Sequence, residues 1–102
     1  METFNKYQFI EDLSSIITKG INNGEINSSD DYYTLMHEEI ERECIYYSNC
    51  FDICKELNAT DFTAYDMECN TISELAYAAL YQYTIDELDV NKLEQLLETI
   101  NA

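Results

Sequence analysis

Residues 29–57, SDDYYTLMHEEIERECIYYSNCFDICKEL, hold the pattern on which the fold turns. Tyr33, Met36, Ile40, Cys44, Tyr47, Phe51 and Cys54 recur every three or four residues. That spacing keeps side chains on one face of an α-helix. Asp31, Glu38, Glu41, Arg42, Ser48, Asp52 and Lys55 occupy much of the other side. Ser28-Ser29 offers a capping hydroxyl, and Asp30-Asp31 supplies acids that complement the helix dipole. The pattern predicts one long helix over about 29–57, roughly 40 Å at ~1.5 Å per residue. A kink would fall near Tyr46–Asn49, where helix propensity dips.

Outward from that stretch the same periodicity recurs. Residues 3–19 carry Tyr7, Phe9, Ile10, Leu13, Ile16 and Ile17 at helical spacing, with Thr3 or Asn5 as N-cap and Gly20 placed for a C-terminal cap. Residues 21–27 read as a loop rich in Asn and Gly. Asn58-Ala59-Thr60-Asp61 ends the long helix, and residues 60–70 leave room for a short helix carrying Phe62, Tyr65 and Met67. Thr71-Ile72-Ser73-Glu74 matches a capping box and opens a helix to about Tyr83. Leu75, Ala76, Ala79, Leu80 and Tyr83 leave that helix little polar surface, which makes it the central one. A last helix starts at Asp89 or Val90, with Val90, Leu93, Leu96, Leu97 and Ile100 inward. No strand pattern, repeat or linker is present. The expected fold is all-α, a compact bundle of four or five helices forming a single acidic domain over residues 1–102.

The composition argues for folding and for an unusual surface. Hydrophobic residues make up 46% and aromatics 13% of the chain, well above what disordered chains carry. Twenty-one acids face five Lys/Arg, for a net charge of −16. Solubility needs a net charge of only roughly 2–8 in magnitude, and the excess costs stability through self-repulsion. Direct nucleic-acid binding is excluded as a leading reading, because it uses Lys/Arg to displace counterions. Anionic membranes are disfavoured for the same reason. No stretch reaches the ~18 apolar residues of a membrane span, and Met1–Lys6 lacks the basic start and apolar core of a signal peptide. The expected location is cytoplasmic, where Cys44, Cys50, Cys54 and Cys69 stay reduced.

Four constellations bear on chemistry. The first is acidic: Glu38, Glu39, Glu41 and Glu43 on the long helix, with Asp30, Asp31, Asp52 and Glu56 toward its ends. Duplex DNA carries one charge per ~1.7 Å of axis, so a rod of carboxylates suits a basic nucleic-acid-binding cleft; the plainer reading is a solvated face. Catalytic acid–base work would need two acids in unlike environments, and nothing marks such a pair. The second is His37 with the four cysteines. One helical CxxxC with scattered partners is not zinc spacing, and the cysteines read as packed core. His37 and Cys44 lie about 10.5 Å apart along a helix, too far for a dyad. The third, Asn23, Glu25, Asn27, Ser29 and Asp31, alternates oxygen donors like a calcium loop. It lacks the sixth-position Gly and the final Glu, and reads as a capped loop. The fourth is the tyrosines: core packing accounts for about half of them, whereas Tyr32 and Tyr46, beside the acids, are expected outward in a partner surface. No cofactor, metal or catalytic residue is expected.

The stretch Cys44-Ile45-Tyr46-Tyr47-Ser48-Asn49-Cys50-Phe51-Asp52-Ile53-Cys54-Lys55-Glu56-Leu57-Asn58-Ala59-Thr60-Asp61-Phe62 resembles a segment of small uncharacterised phage and prophage proteins. In size and charge the chain is also similar to the anti-CRISPR and antirestriction inhibitors of phages, many of which are helical and acidic and some of which imitate DNA. The resemblance implies inhibition of a host protein and carries over no functional residues. The expected function is therefore binding rather than catalysis: a phage or mobile-element inhibitor docked on the basic surface of a nucleic-acid-binding host protein. Its contact residues would be Asp30, Asp31, Tyr32, Glu38, Glu39, Glu41, Glu43, Tyr46, Asp52 and Glu56. The alternative is an acidic adaptor or homodimer that uses its Tyr/Leu faces.

Overall fold

Asn5 starts the first helix by accepting the Gln8 N–H on its side-chain oxygen (3.0 Å), which satisfies one of the donors left open at a helix N-terminus. The computed structural model describes residues 4–61 and 69–101. These form five helices: α1 (Lys6–Asn22), α2 (Ser29–Glu43), α3 (Tyr47–Glu56), α4 (Ile72–Glu87) and α5 (Val90–Asn101). The fold is all-α, as the periodicity predicts. Residues 62–68, with Phe62, Tyr65 and Met67, lie outside the described residues, and so does the short helix expected there.

The single helix expected over 29–57 is two helices. α2 ends at Glu43, Cys44 caps it, and Tyr46 is extended (φ −95, ψ 131) at the start of α3. Ile45-Tyr46-Tyr47 is a run of β-branched and aromatic residues that lose χ1 freedom in a helix. Local side chains replace the lost backbone bonds. Asn49 Nδ2 donates to the Glu43 carbonyl (2.5 Å) and to Glu43 Oε2 (3.1 Å), and the Cys50 thiol donates to the Cys44 carbonyl (3.3 Å). Asn49→Ala is expected to cost about 1–2 kcal/mol in urea unfolding, since it orphans a part-buried carbonyl. An unchanged midpoint would show that water replaces the amide at no cost.

Gly20 does not cap α1. It lies inside the helix, where a Cβ would meet Ile26 Cδ1 at 2.6 Å. The helix runs on to Asn22, and the chain turns at Gly24, whose φ of +82 suits glycine. α3 closes with Asn58 at φ +55. There the Ala59 N–H reaches the Cys54 carbonyl (2.8 Å) and the Asn58 N–H the Lys55 carbonyl (3.3 Å), the bond pair of a Schellman cap.

α4 opens as its capping sequence predicts. The Glu74 N–H donates to Thr71 Oγ1 (3.2 Å), while Glu74 Oε2 reaches back to the Asn70 N–H (2.9 Å). Leu75, Ala76, Ala78, Ala79, Leu80 and Thr84 are buried along it. Its small residues allow close approach, and α4 packs on both α2 and α3. Thr84 is tolerated inside because its hydroxyl bonds the Leu80 carbonyl (2.7 Å). α1 packs against α2 and α5. α5 is capped by Asp89, which accepts the Lys92 N–H (3.1 Å), and it buries Leu93 and Leu97. The molecule measures 44 × 32 × 18 Å. At ~10 Å per helix that is about two layers thick, and α4 is the helix with least exposed surface.

Candidate partner-binding surface

The acids of residues 29–57 divide into three groups. In α2, Tyr32, Met36 and Ile40 are fully buried. At about 100° per residue, Asp30, Asp31, Glu38 and Glu41 then fall within a fan of about 100° on the opposite face. All four are exposed, and none is ion-paired to another described residue. From Asp30 to Glu41 the row runs about 16 Å at ~1.5 Å per residue. One strand of duplex DNA presents about five phosphates over that length, at ~3.4 Å each. Four carboxylates come close to that density.

Glu39 and Glu43 are half-buried on another side of α2. They line a cleft with Asn5, Gln8, Asp12 and Asn49, where α1 begins. Glu39 pairs with Arg42 (3.1 Å) and Glu43 accepts Asn49. Asp52 and Glu56 form the third group, half-buried on α3. In one continuous helix Asp52 would have lain about 20° from Glu41, eleven residues earlier. The break at residues 44–46 destroys that phase relation, so the expected single stripe is not formed.

The two tyrosines expected outward separate as well. Tyr46 is 72% exposed, while Tyr32 has no exposed surface. Tyr32 is therefore a core residue and not a contact residue. Its hydroxyl donates to Glu94 Oε1 on α5 (2.5 Å). Burial first, and the Glu94 carboxylate second, hold its pKa well above the ordinary tyrosine range.

Periodicity places Tyr47 and Phe51 inward, and the structure places them outward. They are 64% and 51% exposed, and Ile45 is 68% exposed. With Tyr46 they make a corner of four large apolar side chains at the α2–α3 junction. The Tyr47 and Phe51 rings meet edge to face, their centroids 4.9 Å apart. α3 buries Cys50, Ile53 and Cys54 instead. The signal in the sequence was the helix-poor run Ile45-Tyr46-Tyr47 followed by a capping Asn. Large apolar side chains exposed close together in sequence, two of them with rings in contact, suit an interaction site, whereas Tyr7, Ile16 and Ile100 are exposed singly.

His37 bonds through Nδ1 to the Tyr77 hydroxyl, and its ring stacks on Tyr81 (centroids 5.0 Å apart), so it joins α2 to α4. The oxygens of the 23–31 loop hold its own backbone. Asn23 Oδ1 accepts the Glu25 N–H (3.1 Å) and Asp31 Oδ2 accepts the Asn27 N–H (2.9 Å). Among the described residues no group of three or more His, Cys, Asp or Glu is arranged to hold a metal ion. No helix among them is long and apolar enough to cross a membrane.

All four cysteines are thiols, and Cys50, Cys54 and Cys69 are buried. Burial, then the Cys50 thiol beside it, pushes the Cys44 thiol up to about 12. Burial likewise raises Cys54 and Cys69. These thiols are poor nucleophiles in the folded chain. Native-state alkylation with iodoacetamide at pH 8 is expected to be at least ~10-fold slower than alkylation in urea, and rapid native labelling at Cys44 would contradict the assignment. Because the folded pKa values of these thiols and of Tyr32, Tyr77 and Tyr83 are raised, their contribution to stability is complete below the unfolded values of about 8.5–10. It is lost as pH rises through the folded values, so urea midpoints should fall above about pH 9.

The fold and surface thus define an acidic helical protein with an exposed carboxylate row on α2 and exposed apolar side chains at the α2–α3 junction. Comparison with known protein families, curated proteins and solved structures finds no match.

Proposed function

We propose that this chain is a non-catalytic inhibitor that docks on a basic, nucleic-acid-binding surface of a partner protein and blocks it. The observation that carries this reading is the row Asp30, Asp31, Glu38 and Glu41, exposed and without cationic partners among the described residues, at near-phosphate density. Keeping like charges side by side on one helix destabilises it, which makes the row more costly than a mixed surface. A partner's Lys/Arg would turn that repulsion into attraction and speed encounter. A host defence nuclease, the target of phage anti-CRISPR and antirestriction inhibitors, fits this role. Glu39, Glu43, Asp52 and Glu56 add to the negative field from other sides.

The protein used as bait in a bacterial lysate tests the proposal. Recovery of a nucleic-acid-binding enzyme, lost at high salt and in the presence of competitor DNA, is the expected result. A partner indifferent to both salt and DNA would overturn it. The second reading, an adaptor or homodimer, draws on the exposed Ile45, Tyr46, Tyr47 and Phe51. Light scattering after gel filtration at high salt, where charge repulsion is screened, would reveal a dimer as about twice the mass of one chain.

A further inference from the structure

Two acids of the α2 row, Asp31 and Glu38, also line a cleft between α1, the loop that follows it and α2. The deeper part of the cleft is apolar. Gly20 and Ile26 are buried there, Leu35 is half-buried, and Ile16 stands 43% exposed at the edge. Glu25 joins Asp31 and Glu38 as its exposed acids, and among the described residues no Lys or Arg lines it. We propose that this cleft takes one long cationic side chain of the partner, a lysine or arginine. Its methylene stem lies on the apolar residues while its charged end meets the carboxylates. Assigning the occupant to a protein partner rests on the function proposed above.

The turn after α1 builds the cleft. The Ile26 N–H donates to the Gly20 carbonyl (3.0 Å), so the loop folds back on its own helix. Asp31 Oδ2 accepts the Asn27 N–H (2.9 Å), which holds that carboxylate against the loop. A surface fixed before binding loses little freedom when it is occupied. The volume is about 330 Å³, at the low end of ligand pockets, with room for a side chain and not for a helix. The lining then selects the occupant. A bare metal ion is disfavoured, because no three acids among the described residues are arranged to hold one. Here they border an apolar floor, which calls for a ligand with length. An anionic ligand is repelled by all three. A second copy brings another net charge of −16. An uncharged apolar side chain leaves the carboxylates unmatched. Lysine and arginine fit both parts, since they bury an apolar stem and keep a charged head at the rim.

The test titrates the full chain with blocked glycine peptides that differ only in their central residue, followed by NMR. One carries lysine, one the shorter cation 2,4-diaminobutyrate, and one norleucine, which has the lysine stem without the charge. At about pH 6 both amines are protonated. The lysine peptide should shift the Gly20, Ile26 and Leu35 signals saturably. A fully buried methylene is worth about fourfold in affinity. The cleft is open on one side, so lysine should bind about fivefold tighter than the shorter cation. Norleucine should bind more weakly than either. Thr34 is exposed and lines the cleft, so Thr34→Phe fills it and leaves the charge at −16. Thr34→Phe and Ile16→Ser should each reduce lysine to the level of the shorter cation. Glu25→Gln with Glu38→Gln should weaken both cations alike. Four results overturn the site: no saturable shift with lysine, equal binding of the two cations, norleucine as tight as lysine, or a lysine preference that survives both cleft variants. None of them touches the salt- and DNA-sensitive capture that tests the proposed function. Failure of that capture with a cleft that still prefers lysine would sink the function and leave the site.

Discussion

Tyr32→Ala is expected to remove a large share of the stability of the fold. Truncating a fully buried aromatic costs about 3–5 kcal/mol, against a total of roughly 5–15 kcal/mol for a small domain. Tyr32 has no exposed surface and lies in the row Tyr32, Met36, Ile40 that α2 presents to the core. Its hydroxyl also reaches Glu94, so it ties α2 to α5 across 62 residues of sequence. Tyr32→Phe isolates the hydrogen bond. Glu94 is half-buried and regains water, so the loss should sit near about 1.5 kcal/mol, the low end for a bond to a charged group. Tyr46→Ala, at an exposed position, should change stability by less than about 0.5 kcal/mol. Urea denaturation of the three variants checks the order. Equal effects of Tyr32→Ala and Tyr46→Ala would refute the burial assignment.

Reversing Glu38 and Glu41 to Lys should separate stability from function by moving them in opposite directions. The double variant changes the net charge from −16 to −12, by two units at each position. It also adds cations to a helix whose exposed face carries four carboxylates against the single cation Arg42. Self-repulsion falls, and the midpoint of thermal unfolding should rise by several degrees, since about 1 kcal/mol corresponds to ~4–8 °C in a domain of this size. Moderate salt should raise the wild-type midpoint in the same direction, by screening the same repulsion. Binding to a basic partner should meanwhile weaken by roughly 10–100-fold, mostly through slower association. A variant that is more stable and binds undiminished would show that the α2 face is only a solvated surface.

Much of this was legible in the sequence, for reasons that stay local. A cap is an interaction over three or four residues, so Asn5, the Thr71–Glu74 pair and Asp89 announce where α1, α4 and α5 begin. α4 carries apolar residues nearly all round and has to be buried whatever it packs against. The acidic excess is a matter of composition alone.

The candidate surface was only half legible, because periodicity is phase arithmetic and one break resets the phase. Carried through the 44–46 link, the count sends Tyr47 and Phe51 inward and aligns Asp52 with Glu41, and both results are wrong. The run Ile45-Tyr46-Tyr47 signals weakness but not where the chain goes next. Asn49 and Cys50 settle that by taking the carbonyls that a continuous helix would have used.

The sequence by itself determined an all-helical fold, the side-chain caps that start α1, α4 and α5, a largely buried α4 and a surface crowded with carboxylates. All of these follow from interactions within a turn or two of helix, or from composition. The tertiary structure decided which of two adjacent tyrosines is enclosed, since Tyr32 and Tyr33 both fit the α2 spacing and Tyr32 is the one fully buried, with its hydroxyl on Glu94 of α5. It also decided that Gly20 makes room for Ile26 instead of ending α1. And it turned an expected rod into two helices with an apolar corner between them. Each of these choices is made by a partner outside the helix concerned, or by a break that no periodicity can carry across.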